Sequence, residues 1–346
     1  MAFGIMGPLK AMDNELLLTE SSERADNREF YSVILPGQNG GGGESYKNNL
    51  IVNSNYRKYE YPEEYFQIDL GQGNCVKHFA DQLQKDQNLN NKNIVGCGIS
   101  QGTATWVHLL AGSEVSEEFK GNVKMLVLES VLGTGNSAIT HTVLRGLPSM
   151  TYVPFSRFWL PVGAKLFFPT YNPLGMQAIS SAKKLPKDLP IIIMHDKNDF
   201  QLWINDARKF YCAVKESGND SVYLLETSHS LKGVHLNILN SEPRRERERK
   251  IRAIQAIYKK HGVPYDIASL KRKEDADNEE ADFNESELLT LIAEFQPAVE
   301  KVKKDIEETS KIYRTHNIID GSAVVGLLAA FIYAYSTNIG SALGLD

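Results

Sequence analysis

Residues 93–106, NIVGCGISQGTATW, set a serine between two glycines in the pentapeptide Gly98-Ile99-Ser100-Gln101-Gly102. A serine hydroxyl is a weak nucleophile and attacks a carbonyl carbon only when a base stands ready to take its proton. A strand that ends in a sharp turn and restarts as a helix lifts such a hydroxyl clear of the sheet, and flanking glycines remove the side chains that would clash there. The apolar NIVGC supplies the strand and TATWVHLLAG the helix. The helix N-terminus also aims free N–H groups at the site, which favours negative charge. At ordinary glycine usage the pentapeptide arises by chance about once in ten chains of this size, so its meaning depends on partners elsewhere in the chain.

Those partners follow in the order acid, then histidine. IIIMHDKNDF ends an apolar run with Asp196 and Asp199. Asp199 is the expected acid because it lies on the loop beyond the strand; Asp196, nearer the strand end, is the alternative. YLLETSHS ends the next run and puts His229 in the following loop as the expected base, with His235 a little further on as the alternative. His195 is expected to shape the acid turn, and His78 and His108 to pack on helices. His141 opens the next aromatic interval and is a candidate for substrate contact. The reaction also needs donors for a negative oxygen. The backbone N–H of Gln101 is one, and the glycine-rich ILPGQNGGGGES offers the N–H of Gln38 as the other. No G-K-[ST] closes that glycine run, and no H-x-x-x-H or C-x-x-C spacing occurs, so neither a nucleotide, a metal nor another cofactor is expected.

The elements that must position these residues alternate. Strand-like runs at 30–37, 64–71, 93–100, 123–130, 189–196 and 221–229 are separated by helical segments such as CVKHFADQLQ and INDARKFYCAVKESG. Short apolar strands alternating with helices give an α/β class with a mostly parallel sheet covered on both faces. The interval 134–188 breaks the rhythm with YVPFSRFWLPVGAKLFFPTYNPLGM and reads as a cap over the carboxyl edge of the sheet, where open α/β sheets place ligands. The division expected is an N-terminal segment 1–27, a main domain 28–265 carrying the cap, a charged helical region 266–317 divided near Pro297, and a hydrophobic segment 318–346.

Over residues 28–240 the chain resembles the α/β-hydrolase superfamily. The elbow Gly98–Gly102, the acid loop HDKND (similar to the H-G-x-x-D of many members) and the loop with His229 carry the resemblance. It implies an eight-stranded, mostly parallel sheet, a Ser100–Asp199–His229 triad and hydrolysis of an ester, thioester or amide through an acyl-enzyme. Two departures stand out: Pro36-Gly37 replaces the usual His-Gly of the oxyanion loop, and Asp196 replaces the glycine of the acid motif. With the aromatic cap and apolar tail, the expected function is a carboxylesterase- or lipase-like serine hydrolase acting on a small-molecule or lipid acyl substrate. A peptidase or thioesterase of the same fold, and a non-catalytic scaffold, are the alternatives.

Composition bounds the rest. The 346 residues carry a net charge of −5, which supplies no positive field for nucleic acid. Three cysteines without pairing pattern fit a reducing compartment. No basic segment followed by an apolar run opens the chain, so a cytoplasmic location without a secretory signal is expected. From Ile318 to Leu345 Asp320 is the only charge, with Lys311 and Arg314 just upstream. That stretch reads as a membrane anchor, or as a buried helix or dimer interface.

Overall fold

The computed structural model describes residues 28–37, 56–61, 70–146, 170–228, 235, 238–264 and 285–311. Among the described residues six strands form one sheet: β1 (Phe30–Leu35), β2 (Tyr56–Lys58), β3 (Asn93–Ile99), β4 (Val123–Glu129), β5 (Ile191–Asp196) and β6 (Val222–Thr227). Their order is β2-β1-β3-β4-β5-β6, and every neighbouring pair is parallel. The chain steps to one side of β1 for β2 and to the other for β3, so the order reverses between β1 and β3. Such a reversal opens a crevice at the carboxyl ends of the two strands.

Both faces of the sheet are buried, which is why its strands read as continuous apolar runs rather than alternating ones. Val33, Leu35, Ile94, Leu126, Leu128, Ile191, Ile193, Val222 and Leu224 face a layer that includes α1 (Gly73–Lys85), α2 (Gln101–Ala111), α3 (Glu117–Asn122) and, further along the chain, α5 (Ala178–Ala182) and α6 (Ile204–Glu216). The intervening Ile34, Val95, Cys97, Met125, Val127, Ile192, Met194, Tyr223 and Leu225 face α7 (Arg244–Lys260) through Ala253, Ile254, Ile257 and Tyr258. Trp106 of α2 lies against Gly96 of β3, where an added Cβ would fall 3.0 Å from the indole. The indole N–H donates to the Cys97 carbonyl at 3.1 Å. This contact fixes α2 on β3 directly below the turn at Ser100.

Several expectations shift. The second strand is Tyr56–Lys58, a three-residue edge strand with no apolar run to announce it. The run expected at 64–71 falls almost wholly outside the described residues, and its end, Leu70 and Gly71, forms a bend entering α1. Of the cap interval, the described parts include α4 (Gly135–Gly146) and α5, while 147–169 lie outside. The Gln38 loop, His229 and the segments 1–27 and 318–346 also lie outside. No helix among the described residues is long and apolar enough to cross a membrane.

The charged helical region is divided at Pro297 into α8 (Glu285–Ala293) and helical residues 299–311, called α9. It packs on the main domain, because an apolar stripe underlies its charge: Ile292 and Phe295 join one core layer and Val302 the other. The Phe295 carbonyl accepts the Leu224 N–H at 2.8 Å, satisfying part of the open edge of β6. The Tyr211 hydroxyl donates to the Pro297 carbonyl at 2.7 Å. Arg208, 6% exposed, binds both oxygens of Glu226 and also donates to the Asp305 carbonyl and the Thr309 hydroxyl, so one guanidinium joins β6, α6 and α9.

Asp206, at the start of α6, is fully enclosed beneath the loop that follows β4 and accepts the Thr134 N–H at 3.3 Å. Burial pushes its pKa up to about 6 from an ordinary 3.8. A raised carboxyl pKa means that the folded state holds the proton more tightly than the unfolded chain, so stability is lost as pH rises through that range. Asp206→Asn keeps an acceptor for Thr134 and removes the charge. Its melting temperature relative to the parent should therefore rise between about pH 4 and about pH 7. Thermal unfolding across that range checks this, and a constant difference would contradict it.

Candidate active site

Ser100 occupies the turn between β3 and α2 with φ 50° and ψ −114°. A non-glycine residue with positive φ is uncommon and costs of order 1–3 kcal/mol. The neighbourhood enforces it: the Ser100 N–H donates to the Glu129 carbonyl at 2.9 Å, and the Ser100 carbonyl accepts the Thr103 N–H at 3.0 Å and the Thr103 hydroxyl at 2.6 Å. Gly102 has no room for a side chain, since a Cβ would lie 2.0 Å from the Leu35 carbonyl oxygen. A Cβ on Gly37 would lie 3.1 Å from that of Ser100, so the chain leaving β1 runs directly against the serine. The two ends of the crevice, after β1 and after β3, therefore meet at Ser100.

The imidazole beside Ser100 belongs to His235. Its Nε2 lies 3.0 Å from Ser100 Oγ, and its Nδ1 lies 2.9 and 3.1 Å from the two carboxylate oxygens of Asp199. An ionised carboxylate only accepts, so Nδ1 carries the proton and Nε2 is left to accept from the serine hydroxyl. The expected base His229 lies outside the described residues, and the position against Asp199 and Ser100 is filled by the alternative, His235. The Ser130 hydroxyl donates to the His235 carbonyl at 2.5 Å, which ties the His235 backbone to the end of β4. Ser130 itself has φ 53°. Nothing in the sequence marked it, because a serine after an apolar strand is common.

Asp199 sits in the loop between β5 and α6, as expected, and is 2% exposed. One of its oxygens accepts the N–H groups of Gln201 at 2.7 Å and Leu202 at 3.0 Å. Burial opposes its charge, but the hydrogen bond and charge of His235, helped by His195 and the Leu202 N–H, outweigh burial and hold its pKa below the ordinary carboxylate value. Asp196 is occupied elsewhere, accepting from the Asn198 N–H at 2.7 Å and the Thr227 hydroxyl at 2.8 Å. It closes the turn.

The other histidines support or pack. His195, wholly buried, accepts the Val131 N–H on Nδ1 at 3.1 Å, which leaves its Nε2 proton for the Leu202 carbonyl at 3.3 Å and places it 3.8 Å from Asp199. Burial lowers its pKa, so it stays neutral and stiffens the acid loop. His141 of α4 lies 3.0 Å from the Asp199 carbonyl oxygen. His108 binds the Ser181 hydroxyl at 3.0 Å, and burial lowers its pKa to about 4. Phe200, 44% exposed, sets its ring edge-on to His235 at 6.0 Å.

Gln101 opens α2, where backbone N–H groups of the first turn have no intrahelical acceptor. Its side chain turns inward, donating to Cys75 Sγ at 3.4 Å. Gln38 lies outside the described residues, immediately after Gly37. No cluster of metal-binding side chains occurs among the described residues.

No protein-family model and no curated protein sequence matches the chain. Solved structures do. The chain is similar to the esterase Pf2001 of Pyrococcus furiosus, at 14% identity and a TM-score of 0.42 over 68% of this chain and 83% of that one. It is similar to the acylaminoacyl peptidase of Pyrococcus horikoshii, at 14% identity and a TM-score of 0.46 over 77% of this chain and 40% of the peptidase. It is also similar to the esterase Est2 of Thermogutta terrifontis, at 15% identity and a TM-score of 0.40 over 69% and 85% of the two chains. The all-parallel sheet, its switch point and the serine turn after β3 are those of an α/β-hydrolase fold.

Gly102→Ala tests the elbow. Alanine in a helix is ordinarily the more stable residue by roughly 0.5–1 kcal/mol. Here the clash with the end of β1 should reverse the sign and destabilise by more than about 2 kcal/mol. Denaturant unfolding reads the difference, and a variant as stable as the parent would contradict the packing described.

Proposed function

We propose that the chain is a serine hydrolase that cleaves a carboxylic ester through an acyl-enzyme on Ser100. The single observation that supports this is the unbroken line Ser100–His235–Asp199, made from three loops at the carboxyl edge of one sheet.

In this reading His235 Nε2 takes the Ser100 proton as Oγ attacks the ester carbonyl. The imidazolium that forms is held by Asp199, whose depressed pKa keeps it ionised at neutral pH. The carbonyl oxygen becomes negative and is stabilised by the N–H groups of Gln101 and Gln38. Collapse of the tetrahedral intermediate breaks the bond to the alcohol, which leaves with the proton returned by His235. Water then attacks the acyl-enzyme by the same route, releasing the acid and free Ser100. No step calls for a cofactor.

A fluorophosphonate probe reacts only with an activated serine. The folded protein should take up the probe and hydrolyse a short p-nitrophenyl ester, and Ser100→Ala should abolish labelling and lower turnover by at least about three orders of magnitude. A folded parent that neither labels nor turns over the ester, with and without detergent, would overturn the proposal.

A further inference from the structure

The chain contains an apolar surface that the reaction does not require. Of the five large hydrophobic side chains exposed among the described residues, three are Leu174 at 95%, Met176 at 45% and Phe200 at 44%. All three lie on elements at the carboxyl edge of the sheet, Phe200 beside His235 and the other two tied through Gln72 to the start of α2. Phe200 is on the acid loop beside His235. Leu174 and Met176 belong to a turn held by Gln72, whose amide donates to the Met176 carbonyl at 2.8 Å and accepts the Asn172 N–H at 3.1 Å. Gln72 is itself placed at that edge by Gly71, where an added Cβ would lie 2.8 Å from the Gln101 carbonyl oxygen in the first turn of α2.

A second observation, independent of the first, concerns where α9 leads. After the acid loop, α6 runs away from the site from Ile204 to Glu216. The helix α9 runs back along it. Lys303 pairs with Glu216 at 2.7 Å, Thr309 receives an Arg208 N–H at 2.8 Å, and the Ser310 hydroxyl lies 3.2 Å from the Asn205 amide. The order of these contacts makes α9 antiparallel to α6, so Lys311 ends at the edge that carries the site. The sequence beyond continues with Arg314 and then the stretch 318–345, which holds Asp320 as its only charge.

We propose that this edge is a lipid-facing surface: the apolar C-terminal stretch enters a bilayer, and α9 delivers it where Leu174, Met176 and Phe200 meet the same membrane with the mouth of the Ser100 site between them. Basic residues flanking an apolar stretch and large apolar side chains beside it are the residue types that settle at a bilayer interface. The ester drawn in is then one dissolved in the membrane, a lipid or other hydrophobic acyl compound. That last clause rests on the serine hydrolase reading; the orientation of the surface does not.

The test uses the full chain with vesicles of phosphatidylcholine. Cys75, Cys97 and Cys212 are all buried, so a polarity-sensitive thiol dye reports on an introduced cysteine. Leu174→Cys places the dye at the proposed surface and Lys187→Cys at the opposite edge, before β5. The protein should float with the vesicles, and only the dye at position 174 should shift to the blue. Equal responses at both positions, no response at either, or a chain that stays in the aqueous layer (self-associated through this edge included) would overturn the proposal. The pair Leu174→Glu and Met176→Glu, made together, should lower turnover of a long-chain umbelliferyl ester carried in the vesicles about tenfold, with a water-soluble short-chain ester unaffected. An unchanged rate on the vesicle ester counts equally against it. If the parent turns over neither ester, the serine hydrolase reading fails while the dye result still decides the surface.

Discussion

The backbone angle at Ser100 is the constraint on which the site depends. Serine does not choose φ 50° unaided. It is held there because β3 must turn at once into α2, and α2 is pinned to β3 by Trp106 lying on Gly96. The absence of side chains at Gly98 and Gly102 lets the first turn of α2 press against the end of β1. The same packing that strains the serine brings Gly37 beside it and sets the start of α2 immediately after it. The strain at Ser100 and the convergence of two chain segments beside it are consequences of one close approach between β1, β3 and α2.

Asp199 and His235 are positioned by a different kind of interaction. Asp199 is buried, a setting that ordinarily neutralises a carboxyl group, and it keeps its charge because two backbone N–H groups and the His235 ring meet it. His195 and His141, both buried, brace that loop through the Leu202 and Asp199 carbonyls. Ser130, with a positive φ of its own, ties the His235 backbone to the end of β4. The two strained serines follow adjacent strands, and between them they hold the Ser100 hydroxyl and the His235 ring within hydrogen-bond distance.

Much of this was legible in the sequence because it follows from local rules. Strands buried on both faces must be apolar throughout, so β1, β3, β4, β5 and β6 were visible as runs. The elbow was visible because glycines flank the serine where side chains would clash, and Asp199 because loops after parallel strands converge at one edge. Three features were not legible. Tyr56–Lys58 is an edge strand defined by pairing with β1 rather than by composition. The sequence favours His229, the histidine nearer the end of β6, whereas the place beside Ser100 is taken by His235, tied by its carbonyl to Ser130, 105 residues away in the chain. The packing of α8 and α9 was hidden by charge: their apolar contacts are spaced by lysines and glutamates, and the bonds from Arg208, Asn205 and Tyr211 link positions far apart in the chain.

The central claim is that His235 is the base that activates Ser100, and the most direct measurement is the rate at which Ser100 is acylated in His235→Ala beside His229→Ala, followed by mass spectrometry of the peptide that contains Ser100. The account predicts a fall of about three orders of magnitude or more for His235→Ala and a rate within a few-fold of the parent for His229→Ala. The reverse order, or equal losses in two folded variants, would contradict it.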